Sequence, residues 1–414
     1  MREDGGRARR DAAGRRVVIT GLGPVSSIGI GVDEFESGLR AGRSGIAPIS
    51  SFDATGFPHF MAGEVADFDP KVLVRTLEPD QWGRSSLFAA AAAGLAVSDA
   101  GVDPAVLAAS RAGSSIGTTS GESQVVEAMT AGWVRGGFPS LSGELVRQLP
   151  AARLAVAVNR ELGLTGEAVT VSTACSASNY ALGYAYDQIA TGDADYMIAG
   201  GADSVCRWAH AGFYRLGALT ALACSPFDKD RSGILTGEGG AALFLEPLDS
   251  ALARGARIYA EVLGYGLNCD AKHPVAPDTD SIADCMRRAH ANAGVSASEV
   301  DYICAHGTGT PANDAVEYAA VRAVFGDRPP PISSIKSMLG HTMGAASAIE
   351  SVACVLAVHN DALPPTINYQ TPDPECDLDY IPNEARFCRV DVAMNNAYAF
   401  GGNNASVIFR KCQP

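Results

Sequence analysis

Four side chains in this sequence have types and settings that could do chemistry, with a nucleophile among them: Cys175, His306, Lys336 and His341. Cys175 follows a Val/Thr-rich run, Ala168 to Ser172, and precedes an apolar-periodic stretch from about Ser176 to Ile189. The pattern predicts a buried strand, a turn and a helix. The sulfur then lies near the positive end of the helix dipole, where a thiol loses its proton more readily than a free cysteine. Such a thiolate is a nucleophile. His306 follows the apolar run Val300 to Ala305 and opens a Gly/Thr loop, Gly307 to Asn313; α/β folds expose functional groups at such strand ends. Lys336 and His341 precede a helix rich in small residues, which lets a neighbouring backbone approach closely. Phe400-Gly401-Gly402 makes a loop whose amides can face a developing oxyanion. Taken singly, each also fits a plain structural role: a small buried thiol, a hydrogen-bonded loop histidine, a loop lysine, a helix-start histidine, a turn.

These groups need a scaffold, and its elements are readable in chain order. Val17 to Ile19 reads as a strand, and Gly21-Leu22-Gly23 as a tight turn after it. A dinucleotide fingerprint does not fit there, because Ser26 stands where the third glycine belongs. Helices are expected over 33–43, 82–100, 281–293 and 345–358. Strands are expected over 111–119, 196–201, 241–245, 258–264 and 300–305, with closing strands near Ala397 and over Ser406 to Phe409. The segment from Gly121 to Gln148, broken by Gly, Pro and Ser, reads as an excursion with room for a partner contact. Strands alternate with helices both before and after Pro247, so the chain reads as α/β with two similar parts. Residue identities alone do not display a repeat.

The 414 residues suffice for a large core, and 32 basic against 46 acidic side chains give a net charge of −14. That surface repels phosphate backbones, so nucleic-acid binding is not expected. Ten scattered cysteines without Cys-x-x-Cys spacing point to a reducing cytoplasm and away from structural zinc or any other metal. Residues 1–14 read as a disordered, charged tail without a signal-peptide core. The apolar run Leu87 to Val97 is too short to span a bilayer, so no membrane association is expected.

The chemistry-bearing stretches, taken together and in order, resemble the β-ketoacyl synthases. The matches are VSTACSAS around Cys175, SPFDKDRSGILTGEGGA from Ser225 to Ala241, HGTGTPANDAVE from His306 to Glu317, SSIKSMLGHTMGAA from Ser333 to Ala346, Leu363 to Arg386, and FGGNNAS from Phe400. The resemblance runs from about Val17 to Phe409. It implies a thiolase-like fold, two similar α/β halves in a five-layer α-β-α-β-α arrangement, with the N-terminal half over 15–255 and the C-terminal half over 256–414. It further implies decarboxylative Claisen condensation by an acyltransferase of the 3-oxoacyl-acyl carrier protein synthase class. Cys175 takes an acyl chain from the phosphopantetheine arm of an acyl carrier protein. His306 and His341 hydrogen-bond the malonyl thioester oxygen, Lys336 tunes them, and the amides of Cys175 and Phe400 form the oxyanion hole. Glu317, Gly401, Gly402 and Asn404 support these groups, and no cofactor is bound. The implied partners are acyl carrier protein and either an identical chain or a chain-length-factor-like subunit.

Some positions depart from the family pattern. Ala399 replaces the glycine before Phe400, Ser347 ends what is commonly Gly-Ala-Ala-Gly, Asn403-Asn404 replaces Thr-Asn, and Asn179 lies one turn after Cys175. These changes are read as altering channel shape and loop motion. They tilt the reading from a housekeeping fatty-acid enzyme towards a type II polyketide ketosynthase. A thiolase would need a second reactive cysteine, and neither Cys376 nor Cys388 has the glycine-rich setting. The initiating Cys-His-Asn synthases are disfavoured by His341, and a silent scaffold subunit by Cys175 itself. Lys71, Arg75 and Arg207 are candidate docking residues for an acidic carrier protein, each equally readable as a solvated surface charge.

Overall fold

The computed structural model describes residues 14–221 and 223–413. The tail expected over 1–14 lies, Gly14 apart, outside them. In chain order the first half contains β1 (Val17–Ser26), α1 (Arg84–Ala100), β2 (Ala112–Gly117), α2 (Ser123–Gly136), α3 (Arg153–Leu162), β3 (Ala168–Val171), α4 (Ala177–Ala190), β4 (Tyr196–Asp203), α5 (Arg207–Arg215) and β5 (Gly239–Pro247). The second contains β6 (Ala260–Cys269), α6 (Thr279–Ala293), β7 (Tyr302–Cys304), α7 (Pro311–Phe325), β8 (Ile332–Ser333), α8 (Ala346–Asn360), β9 (Val392–Tyr398) and β10 (Asn403–Arg410).

The repeat that residue identities hide is plain in the strand order. The first half runs β3-β2-β4-β5-β1 and the second β8-β7-β9-β10-β6, the same permutation of successive strands. Parallel and antiparallel pairings also match strand for strand. The halves join where Val17 to Ile19 of β1 pair with Ala260 to Val262 of β6. Helices α4 and α8 each touch strands of both halves, so they form the layer between. Outside them α1 and α3 cover the first half and α6 and α7 the second, giving the layers α-β-α-β-α. Every residue from Ala346 to Val358 is buried, as a helix apolar on all faces requires. Met343–Asn360 is long and apolar enough to pass a composition test for a membrane span, but 89% of it is buried here.

Two local expectations are corrected and a third is given its detail. Gly21 and Gly23 are not a turn; both lie inside β1. A Cβ on them would come within 2.0 Å of the Ala96 carbonyl oxygen and 1.9 Å of that of Ala92, so they let α1 rest on the strand backbone. The strand before Cys175 is half-buried rather than buried, because β3 is a sheet edge paired only with β2. The excursion after Gly121 is largely helical: α2 and a short helix Gly143–Gln148, exposing Trp133, Val134 and Phe138. Neither α2 nor α5 has a counterpart in the second half, and the two pack together.

Candidate active site

The equivalent strand-to-helix turns of the two halves meet at one point. After β3 the chain reaches Ala174 with φ 50°, makes a single 3-10 turn (Ala174–Ser176) and enters α4. After β8 it passes a short helix Lys336–Leu339, Gly340, His341 and Met343 with φ 56°, makes a 3-10 turn (Met343–Ala345) and enters α8. Left-handed conformations at non-glycine residues are costly and persist where the surroundings fix them. Here both occur beside chemistry-bearing residues.

The geometry sets the protonation pattern. The Met343 amide donates to His341 Nδ1 at 3.1 Å, so the neutral ring carries its proton on Nε2, which lies 3.1 Å from Cys175 Sγ. His306 Nδ1 faces Lys336 Nζ at 3.5 Å, leaving its Nε2–H for the pocket. The two imidazoles stand edge to face with centroids 5.6 Å apart. Burial, and then the Lys336 charge, hold both histidines well below the ordinary imidazole value, so both are neutral donors. Burial works most strongly on Lys336 and against its ammonium, but the Glu350 carboxylate bonded to it, together with Cys304 and Glu317, raises its pKa on balance.

One electrostatic expectation is overturned. The Cys175 thiol is not easily deprotonated at rest: burial pushes it up to about 11, with Lys336 and the amides of Phe400 and Cys175 pulling the other way. Desolvation exceeds what a helix terminus offers. Those two amides are nevertheless the pair that the family resemblance implied for an oxyanion hole.

The supporting residues divide. Glu317, buried and pushed up to about 7 by burial, accepts the amides of His306 and Gly307 at 2.8 and 2.7 Å and so fixes the His306 loop. Gly401 and Gly402 have φ of 83° and 80° and turn the chain between β9 and β10. A Cβ at Gly402 would stand 2.1 Å from Asp270 Oδ1. Asn404 points away, bonding Asn268 and Ser281, and anchors β10 without reaching the sulfur.

Cys175, His306, His341, Phe213, Thr308 and Phe400 line one cavity. Phe213 and Phe400, with ring centroids 6.0 Å apart, also wall a second hollow lined by Thr119, Ser120, Ser204 and Trp208. Arg207 starts α5, the helix that carries Phe213, and is exposed. The structure does not bring Lys71 and Arg75 to this site: Arg75 lines a separate hollow beside Glu161, and Lys71 lies on the exposed helix Pro70–Leu73 next to it. Two residues that shape the site escaped the sequence reading, Glu350 beside Lys336 and Phe213 on the cavity wall. Glu350 had a signal, a lone acid in an otherwise apolar helix; Phe213 had none.

Comparison with known proteins agrees with this geometry. The family profile described as "Beta-ketoacyl synthase, N-terminal domain" matches residues 14–251, and "Beta-ketoacyl synthase, C-terminal domain" matches 259–370. The chain is 40% identical to 3-oxoacyl-[acyl-carrier-protein] synthase 2 of Synechocystis sp. over 413 residues, covering 96% of this chain and 99% of that one. It is 40% identical to Nodulation protein E of Rhizobium meliloti over 406 residues, with the same coverage. Among solved structures it is similar to the ishigamide ketosynthase/chain length factor, at 51% identity and TM-score 0.95, covering 97% of this chain and 100% of that one. A type II polyketide ketosynthase in complex with its acyl-carrier protein matches at 34% identity and TM-score 0.89, over 97% of this chain and 100% of that one. Two thiolase-like halves, a buried cysteine facing two neutral imidazoles and these similarities converge: the chain belongs to the β-ketoacyl synthase family and is a condensing acyltransferase of the fatty-acid and type II polyketide kind.

Proposed function

We propose that the chain is the ketosynthase of a type II polyketide system, extending an acyl chain held on Cys175 by two carbons from malonyl-acyl carrier protein. The observation that carries the residue roles is the His341 Nε2–H aimed at Cys175 Sγ from 3.1 Å, with a second neutral imidazole beside it. In the first half-reaction the Cys175 sulfur attacks the thioester carbonyl of the acyl carrier protein. The phosphopantetheine thiolate leaves and takes up the proton the cysteine gives up. With its thiol at about 11, Cys175 reaches the thiolate only as attack proceeds, and His341 Nε2–H is placed to stabilise that charge. In the second, malonyl loses carbon dioxide, and two imidazole N–H groups receive the enolate oxygen. The enolate carbon attacks the acyl carbonyl, whose oxygen meets the amides of Cys175 and Phe400. The tetrahedral intermediate then expels the Cys175 thiolate.

No step calls for a metal or a nicotinamide. The polyketide assignment draws support from the 51% identity to a ketosynthase/chain length factor and from the altered Phe400 loop. On the same grounds we assign acyl carrier protein and a chain-length-factor-like subunit as partners, and the free, scattered cysteines favour a reaction in the reducing cytoplasm. The resemblance to 3-oxoacyl-[acyl-carrier-protein] synthase 2 favours a second reading, housekeeping fatty-acid elongation by a homodimer. Supplying the purified chain with polyketide-type and fatty-acid-type carrier proteins, with and without a chain-length-factor-like subunit, separates the two. Condensation that requires the second subunit supports the polyketide reading. Full activity of the chain alone with the fatty-acid carrier overturns it.

A further inference from the structure

Two serine hydroxyls cross between the halves directly behind the reacting groups, and they do so symmetrically. Counting from the left-handed residues Ala174 and Met343, Cys175 corresponds to Gly344 and Ser178 to Ser347. Ser347 Oγ donates to the Cys175 carbonyl at 3.4 Å and accepts the Asn179 amide at 3.2 Å. In its mirror position, Ser178 Oγ donates to the Gly344 carbonyl. A regular helix would close Asn179 N onto the carbonyl four residues back, that of Cys175; the Ser347 hydroxyl stands in that gap. The carbonyl of the nucleophile is therefore held from the second half, and the carbonyl of the turn after His341 from the first.

The surroundings leave these hydroxyls little freedom. Ser178, Ser347, Asn179 and Asn395 are buried. Asn395 Nδ2 ties the Ser347 carbonyl at 2.8 Å, Ser351 Oγ at 2.9 Å and Asn179 Oδ1 at 3.1 Å. The Asp203 carboxylate, on β4, accepts the Gly344 and Thr119 amides, both at 2.7 Å. A Cβ at Gly201 would come within 1.9 Å of Ser178 Oγ, so the crossing needs glycine there. Two of the departures noted in the sequence, Ser347 and Asn179, thus meet in one buried network at the nucleophile's backbone and do not line either cavity.

We propose that Ser347 and Ser178 are positioning residues that fix the Cys175 and His341 turns against each other, Ser347 holding the nucleophile and Ser178 the histidine. The proposal rests on the roles given above to Cys175 and His341. Without the Ser347 hydroxyl the first turn of α4 closes on itself and draws the Cys175 carbonyl out of place. Without the Ser178 hydroxyl the Gly344 carbonyl is released, and with it the turn whose Met343 amide sets the His341 proton.

The test measures the half-reactions separately: acyl transfer to Cys175 by intact-protein mass spectrometry, and carbon dioxide release from malonyl-carrier protein. Misplacing a reacting group by a fraction of an ångström is costly, so Ser347→Ala is expected to slow acyl transfer about tenfold while carbon dioxide release stays within about twofold. Ser178→Ala is expected to shift the ratio of the two rates in the opposite direction. A ratio in Ser347→Ala equal to that of the unmodified protein overturns the proposal, whatever the melting temperature does, and this variant decides alone should Ser178→Ala not fold. If the unmodified protein accepts no acyl group, the role given to Cys175 fails instead. The rate of Cys175 alkylation by iodoacetamide then decides, with slower alkylation in Ser347→Ala supporting the clamp and an equal rate overturning it.

Discussion

Lys336 is buried 3.5 Å from His306 Nδ1, and its removal should change how the enzyme responds to acid. At an effective dielectric of about 20, two unit charges at that separation repel by roughly 5 kcal/mol, so the ammonium strongly disfavours an imidazolium beside it. Burial comes first in keeping His306 and His341 neutral, and Lys336 comes next at both. Lys336→Met alone would strand the Glu350 carboxyl, which burial already pushes up to about 7. The cleaner perturbation is Lys336→Met with Glu350→Gln, which removes both charges of the buried pair together. In the unmodified protein the imidazoles stay neutral well into acid, and carbon dioxide release from malonyl-carrier protein should be level down to about pH 6. In the double variant both imidazoles rise, with burial, the larger cause, still holding them below the ordinary value of 6.5, which is the upper limit of the effect. At that limit only about a quarter of each is neutral at about pH 6, so the rate should drop up to about fourfold for each titrating ring between about pH 8 and pH 6. The assay is the pH profile of carbon dioxide release under saturating substrate. A profile superimposable on that of the unmodified protein, or an acid limb moved to lower pH, would refute the electrostatic reasoning.

Glu317→Gln can accept through only one oxygen, so one amide of the His306 loop loses its partner at a cost of about 1–3 kcal/mol. Because burial raises Glu317 to about 7, it favours the folded state at low pH, and that contribution is lost as pH rises through the folded value. The fall of melting temperature between about pH 4.5 and pH 7 should therefore be shallower in the variant, and an equal slope contradicts the assignment. Arg207→Glu should raise the KM for carrier protein several-fold with kcat unchanged; an unaltered KM removes Arg207 as a docking residue. Phe213→Ala opens the wall between the two cavities and should raise acyl transfer from bulky chains relative to short ones, as competition assays read directly. Unchanged selectivity would mean that the second hollow does not receive the chain.

The residues that do chemistry were legible because each interrupts an apolar pattern at a strand end: Cys175 after Val171, His306 after Ala305, and Lys336 and His341 before the small-residue helix. Their supporting geometry was not. A glycine pair reads the same whether it turns a chain or admits a helix, so Gly21 and Gly23 were misplaced. Periodicity puts Cys175 at a helix start but carries no information about depth, and depth decides its pKa. The run Ala168 to Ser172 has the composition of a central strand, yet whether another strand lies beside it is a property of topology. Ser347 and Asn179 were each visible as departures, but their contact spans 168 positions of sequence. Reading them as changes to channel shape was the natural local inference, and the structure moves them to the nucleophile's backbone. The internal repeat is likewise carried by strand order and by the matched turns at Ala174 and Met343, with no residue identity needed.

The central claim is that Cys175 carries the chain that malonyl-carrier protein extends. Intact-protein mass spectrometry after mixing with a panel of acyl carrier proteins, alone and with a chain-length-factor-like subunit, tests it most directly, with Cys175→Ala in parallel. The account predicts an acyl adduct that is absent from Cys175→Ala and disappears on addition of malonyl-carrier protein as a product longer by two carbons forms. No adduct with any carrier, or an adduct that persists in Cys175→Ala, would contradict it.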